Sequence, residues 1–220
     1  MRHVEFLIED ISGQALLSKV LPKILPEGVT FATKAYKGIG AIPRNLNANA
    51  DPKKRILLDN LPRLIRGYGK TFRAYGDEFS CALVIVCDLD SRDFNVFTGE
   101  IQNLVQACDP RPETIICLAV EEGEAWLLGD QDAIFAAYPH CKKSVLQSYT
   151  QDSICGTWEI LADALEEGGA ANLRALGYQA VGSAKSRWAE AIGPKMSVDQ
   201  NQSESFNDFV DKLREFSQRN

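Results

Sequence analysis

The sequence predicts an α/β protein, a mostly parallel sheet flanked by helices, with a helical C-terminal extension. Three observations carry this. Residues 81–87, CALVIVC, and 114–120, TIICLAV, are continuous apolar runs of strand length, the pattern of strands covered on both faces. Between the apolar runs lie segments whose apolar residues recur at helical spacing. From about residue 131 the alternation stops and only helical patterns follow.

The elements read in order. HVEFLI (3–8) is a short strand, EDISG a loop, and QALLSKVLPKIL a helix; GVTFATKAY is a second strand. KGIGAIPRNLNANADPKK is rich in Gly, Pro and Asn and reads as an irregular connection. ILLDNLPRLIRGYG is a helix that carries Pro62 and is expected to stop at its glycines. After the 81–87 strand come a helix (FTGEIQNLVQAC), a turn (DPRPE) and the 114–120 strand. The segments DAIFAAY, TWEILADALEEG, AANLRALG, AKSRWAEAIG and SESFNDFVDKLREFS then read as successive helices, several opened by a Ser, Thr or Asp cap. The expected division is a core over residues 1–130 and a helical extension over 131–220 packed on it.

Composition narrows the chemistry. There is no apolar run of membrane-spanning length, and MRHVEFLIED places acids where a signal peptide needs apolar residues, so a cytoplasmic protein without a membrane segment is expected. The six cysteines include no C-x-x-C pair and read as reduced core residues. With only His3 and His140, histidine-based acid/base chemistry and zinc clusters lack material, and any metal should be oxygen-ligated. The net charge of −6 disfavours strong sequence-independent affinity for nucleic acid. The charge is unevenly distributed, however. Lys53, Lys54, Arg55, Arg63, Arg66, Lys70 and Arg73 face Asp59 alone in one window, interleaved at its end with Tyr68, Phe72 and Tyr75. That window reads either as a solvated helix face or as a groove for a phosphate backbone, with Lys37, Arg63, Arg66, Lys70 and Arg73 as the contacts.

The chemistry-bearing signal is carboxylate. Ligands of open α/β sheets bind beyond the carboxyl ends of the strands. Three strands here run into acids: Glu9 and Asp10 after the first, Asp88, Asp90 and Asp93 after the central one, and Glu121, Glu122 and Glu124 after TIICLAV. In extended backbone, Asp88 and Asp90 would project to one side and share a cation. Clustered carboxylates raise one another's pKa, and Mg²⁺ or Mn²⁺ would neutralise them. Asp93 reads as a loop or helix-start residue, and Trp126 as core. Lys185, read alone, is a surface lysine of an amphipathic helix.

Taken together, Glu9, the central DLD, the block EEGEAWLLGD (121–130) and the closing KSRWAEAIGPKMSVDQNQSESFNDF resemble a bacterial Toprim-like family of formerly unknown function. That family is related to RloB-like proteins, whose genes often lie near ATPases, restriction systems or other defence genes. The resemblance covers nearly the whole chain. It implies the compact α/β Toprim fold shared with topoisomerases, bacterial primases and overcoming-lysogenization-defect nucleases. It also implies roles: Glu9 as metal ligand or acid/base, Asp88 and Asp90 as metal ligands, Glu122 and Glu124 as further ligands or supporting groups, and Lys185 facing the scissile phosphate. One departure stands out. Where many relatives have VEG-x-T-E, this chain has IEDISG, with Asp10 in place of glycine and Gly13 in place of a second acid.

The function the resemblance implies is a Mg²⁺- or Mn²⁺-dependent phosphodiesterase acting on DNA or RNA, an effector of a bacterial (antiviral) defence system working with an ATPase partner. Two alternatives stay open. One is a catalytically weak Toprim-like binding or regulatory subunit. The other is a dehalogenase-type phosphatase with Asp88 as nucleophile and Asp90 as acid.

Overall fold

A computed structural model describes the chain apart from residues 45, 47–50, 77, 155 and 220 and the side chain of Pro52. Four strands, β1 (Arg2–Ile8), β2 (Val29–Ala35), β3 (Ser80–Asp88) and β4 (Glu113–Ala119), form one all-parallel sheet in the order β2-β1-β3-β4. The α/β class and the helical C-terminal part are as the sequence predicts. Alternation along the strands assigns the two faces. Val4, Phe6, Ile8, Ala82, Val84, Val86, Cys117 and Ala119 point into one core, and Leu7, Leu83, Ile85, Cys87 and Leu118 into the other.

The second core is closed by α2 (Leu57–Tyr75) and α3 (Phe94–Gln106). The first is closed by α1 (Ile11–Ile24) together with α4 (Glu124–Leu128), α5 (Gln131–Ala137), α6 (Lys143–Gln147), α7 (Thr157–Leu165), α8 (Gly169–Leu176), α9 (Tyr178–Ile192) and α10 (Glu204–Gln218). Of the segment beyond residue 131, α10 packs on β4 and α9 on α1, while α5 and α8 pack on α9 and α7 on α4. Trp126 is a keystone there: it is buried, stacks on Phe209 with ring centroids 4.9 Å apart, and donates from Nε1 to Ser205 Oγ at 3.0 Å.

Caps start the helices where the sequence offers them. Asp10, Asp93, Asp130 and Ser203 accept from backbone N–H groups at the starts of α1, α3, α5 and α10. Two differences from the sequence reading have physical causes. EDISG is not a loop, because the Asp10 cap starts α1 at Ile11. The helix carrying Pro62 does not stop at its glycines but runs on to Tyr75. Gly69 is there for packing: a Cβ would stand 2.5 Å from the Pro110 carbonyl oxygen, so the 110–111 backbone lies directly on the helix. The short α6 has too few residues to show a helical period and was not legible.

Cys87, Cys108 and Cys117 are buried free thiols, and Cys81 and Cys141 are half-buried free thiols; Cys155 and most of the 45–50 connection lie outside the described residues. Among the described residues no helix is long and apolar enough to cross a membrane.

Candidate active site

The strand order reverses between β1 and β3. The chain leaves β1 through α1 on one face and leaves β3 through α3 on the other, which opens a crevice at the carboxyl ends of these two adjacent strands. Glu9 and Asp88 stand at that crevice. The Glu9 backbone is pinned by its N–H to Val86 O (3.0 Å) and by its C=O to the Gly38 N–H (3.0 Å). Its carboxylate Oε2 accepts the Asp88 N–H at 3.0 Å, and Asp88 Oδ1 accepts the Gly123 N–H at 2.9 Å. The two acids are thereby locked to each other and to the turn that carries the third acidic group.

That turn delivers Glu122 and Glu124, and α9 delivers Lys185 to meet them. Lys185 Nζ lies 2.9 Å from Glu124 Oε2 and 3.5 Å from Glu122 Oε1. Glu124 is only 4 % exposed, and its Oε2 meets the ammonium as an ion pair outside good hydrogen-bond alignment. Glu9, Asp10, Asp88 and Glu124 line a cavity of about 30 Å³, closed on its other sides by Leu16, Leu17, Trp126 and Leu127. That is room for one or two waters or an ion, and the reacting part of a substrate must lie outside it.

Burial and mutual repulsion govern the electrostatics. Burial, joined by the charges of Asp90 and Asp10 and opposed by the Asp88 N–H, raises Glu9 to about 7. Burial, with Glu9 beside it, puts Asp88 well above the usual carboxylate range. Burial also raises Glu122 to about 7 and raises Glu124, both against the pull of Lys185. For Lys185, burial alone would favour the neutral amine, but Glu124, Glu122 and Asp88 overcome it and raise its pKa. The lysine stays charged. One ammonium cannot neutralise four carboxylates, so the rest of the cluster is balanced by protons or by a further cation.

The central D-x-D departs from the extended geometry expected of it. β3 ends at Asp88, and Asp90 adopts a left-handed backbone (φ 52°) while pairing with Glu121 in an isolated antiparallel bridge. The Asp90 side chain is half exposed, and Arg92 Nη1 lies 2.5 Å from its Oδ2. Asp88 and Asp90 therefore do not project as i, i+2 residues of one extended strand, and Asp90 pairs at the surface with Arg92.

The remaining acids have structural work. Asp10 accepts the Gly13 N–H (2.7 Å) and the Ser12 hydroxyl in capping α1. A Cβ at Gly13 would lie 3.0 Å from Ile8 Cγ2 and 3.1 Å from Asp10 Oδ1, so the Asp10 cap leaves little space for a side chain at 13. The carboxylate of Glu121 turns away from the cluster and accepts the N–H groups of Gly156 (2.8 Å) and Thr157 (2.9 Å), capping α7 from across the fold. The Thr157 hydroxyl in turn donates to Glu122 Oε2 at 3.3 Å.

The carboxylates available to the expected Mg²⁺ or Mn²⁺ are few. Among the described residues no three His, Cys, Asp or Glu side chains form a ready metal site. Among the described residues Glu9 and Asp88 form no salt bridge, although Arg92 acts on Glu9 and Lys185 on Asp88 at longer range, and one oxygen of each accepts a backbone N–H. Mg²⁺ is commonly held by one or two carboxylates plus waters and substrate phosphate, and this pair fits that mode; it does not fit a three-carboxylate cage.

The basic candidates are distributed along α2 and the loop before it. Lys37 follows β2, on the side of the sheet where Glu9 stands, and its N–H donates to Arg55 O. Arg63, Lys70 and Arg73 are exposed on α2, whose last turns lie roughly 20 Å from its start. Arg66 is turned inward, donating to the Leu46 carbonyl at 3.1 and 3.2 Å. Among the interleaved aromatics, Phe72 is buried and the Tyr68 hydroxyl donates to Glu5 Oε2 at 3.1 Å, so these two help hold α2 to the sheet.

The site thus brings together Glu9, Asp88, Glu122, Glu124 and Lys185 from distant parts of the sequence and leaves Asp90 at its rim. Sequence patterns did not single out Arg92, whose only signal is its place two residues after Asp90. They did not assign Glu121 its capping role either. No protein-family model, no curated protein and no solved structure matches this chain.

Proposed function

We propose that the chain is a divalent-metal-dependent phosphodiesterase acting on nucleic acid. The observation that carries the reading is the placement of two half-buried carboxylates that form no salt bridge among the described residues, Glu9 and Asp88, at the β1/β3 crossover crevice with Lys185 close enough to act on Asp88. Glu9 and Asp88 would hold Mg²⁺ or Mn²⁺. Such an ion, when bound, supplies Lewis-acid polarisation of the phosphate and a more acidic water.

The chain's own contributions are distinct. The Asp88 and Gly123 N–H groups orient the two carboxylates without neutralising them. Lys185 keeps its proton and offers positive charge beside the place where a phosphoryl oxygen gains negative charge. The apolar wall of Leu16, Leu17, Trp126 and Leu127 keeps bulk water off the inner side of the cluster. The Toprim-like resemblance adds the proposal of a defence effector to which an ATPase partner brings the substrate. A chain of net charge −6 has need of such delivery.

A second reading, a weakly catalytic binding or regulatory subunit, is favoured by one observation. Lys185 is already engaged by Glu122 and Glu124, and Asp90 by Arg92. Incubating the full chain with plasmid DNA and with a structured RNA in Mn²⁺ and in Mg²⁺ separates the two readings. Cleavage by wild type that Asp88→Asn abolishes supports the enzyme. Equal inertness of both proteins, with and without an ATPase encoded beside the gene, rejects it.

A further inference from the structure

A cleft of about 560 Å³ opens beside the Glu122–Lys185 pair, lined by Trp158, Arg174, Gly177, Tyr178, Val181 and Gly182. Its composition differs from that of the carboxylate cavity. Tyr178, at the start of α9, is 98 % exposed, with no packing role to explain it. Trp158 on α7 is half-buried, and the Arg174 guanidinium lies over its ring at 5.1 Å. Tyr178, Val181, Gly182 and Lys185 share one face of α9 at helical spacing, so this face leads from the aromatic mouth to the lysine of the site.

Two glycines border the cleft, and Gly177 also meets the backbone's need for a positive φ of 91°. A Cβ at Gly177 or at Gly182 would meet nothing within 4 Å. The charges are nearly balanced: Arg174 is paired with Glu159, and Lys185 with Glu124 and Glu122. A lining of this kind is too neutral to hold a phosphate alone. It offers ring faces, a guanidinium plane and a short apolar wall, which suit a flat, uncharged heteroaromatic ring.

We infer that this cleft takes an unpaired nucleobase next to the phosphate presented to Lys185, and so that the substrate is single-stranded or locally unpaired nucleic acid. The inference rests on the phosphodiesterase reading for its ligand class and deepens it. Tyr178 and Trp158 act as stacking surfaces, a mode that accepts any base because every base has a π face. A base in a duplex cannot enter, because its faces are already stacked.

The test uses the full chain without divalent cation, so that no cleavage confounds binding. Fluorescently labelled oligo(dT) and oligo(U) and a fully paired duplex of the same length are titrated by anisotropy. Wild type should bind the single strands more tightly than the duplex, and the two sugar types separate DNA from RNA. Tyr178→Ala removes an exposed side chain, and Gly182→Leu fills open space on a helix, so neither should unfold the chain. Each should weaken single-strand binding by about tenfold, the loss typical of one stacked base. Trp126 and Trp188 are buried, so quenching of tryptophan emission by the oligonucleotides should come from Trp158 and be lost in Trp158→Phe.

Absence of single-strand binding by wild type overturns the inference. So does equal binding by wild type and Tyr178→Ala, whatever the cleavage assays show. Self-association that Tyr178→Ala abolishes, with oligonucleotide binding unchanged, also overturns it and makes the cleft a contact between copies. Binding through Tyr178 without cleavage under any metal leaves the stacking cleft standing and removes the phosphodiesterase reading.

Discussion

Lys185 Nζ, on α9, stands 2.9 Å from Glu124 Oε2, on α4, in a contact that joins a half-buried lysine to a buried carboxylate. This pair joins the helical C-terminal part to the carboxylate cluster. It is both a structural link and the only lysine or arginine charge paired inside the site among the described residues.

Lys185→Met leaves Glu124 as a buried charge with no partner. The variant should lose about 3–5 kcal/mol of stability in urea denaturation. Adding Glu124→Gln should recover part of that loss, because the orphaned charge goes with it. A Lys185→Met protein within about 0.5 kcal/mol of wild type would mean the pair does not hold the two segments together.

The raised carboxylates set the pH dependence of the metal-free protein. Glu9 and Glu122, both near 7 against an ordinary 4.5, bind protons more tightly in the folded than in the unfolded chain. Their contribution to stability is therefore full below about pH 4.5 and is lost as pH rises through about 7. Lys185, raised from 10.5, remains protonated throughout this window and does not reverse the trend. The melting temperature should fall between pH 5 and 7.5, less steeply in Glu9→Gln. Mg²⁺ should offset part of the fall. A melting temperature that rises over this range in both proteins would contradict the assignment.

Glu121 fastens α7 by accepting two N–H groups. Glu121→Ala should cost about 1–2 kcal/mol, as loss of a helix cap does. Hydrogen exchange at Gly156 and Thr157 should accelerate selectively.

Gly67 and Gly69 lie two residues apart on one helix, the first exposed and the second buried, and should respond oppositely to alanine. At Gly67 nothing lies within 4 Å of a new Cβ, and helix propensity should stabilise the protein by up to about 1 kcal/mol. At Gly69 the Cβ meets the Pro110 carbonyl at 2.5 Å, and overpacking should destabilise it by about 1–3 kcal/mol. Thermal melts of the two variants check the packing of α2 on the 110–111 backbone.

The parts of this molecule legible in the sequence are those that local pattern dictates. The runs 81–87 and 114–120 had to be strands covered on both faces, and their alternation with periodic helices dictated a parallel sheet. The convergence of Glu9 and Asp88 followed from acids at strand ends. What escaped was set by contacts distant in the chain. Asp90 leaves the extended conformation because its N–H pairs with Glu121 O, and α2 passes its glycines because one of them seats another segment. The cleft at Trp158 and Tyr178 exists only once α7 and α9 meet.

We propose that Glu9 and Asp88, rather than the D-x-D pair, hold the cation. Isothermal titration of Mn²⁺ into wild type, Asp88→Asn and Asp90→Asn at pH 7.5 tests it most directly. Binding is expected for wild type and Asp90→Asn, with proton release that grows as pH is lowered toward 6.5, and loss of binding in Asp88→Asn. Binding retained in Asp88→Asn, or lost equally in both variants, would contradict it.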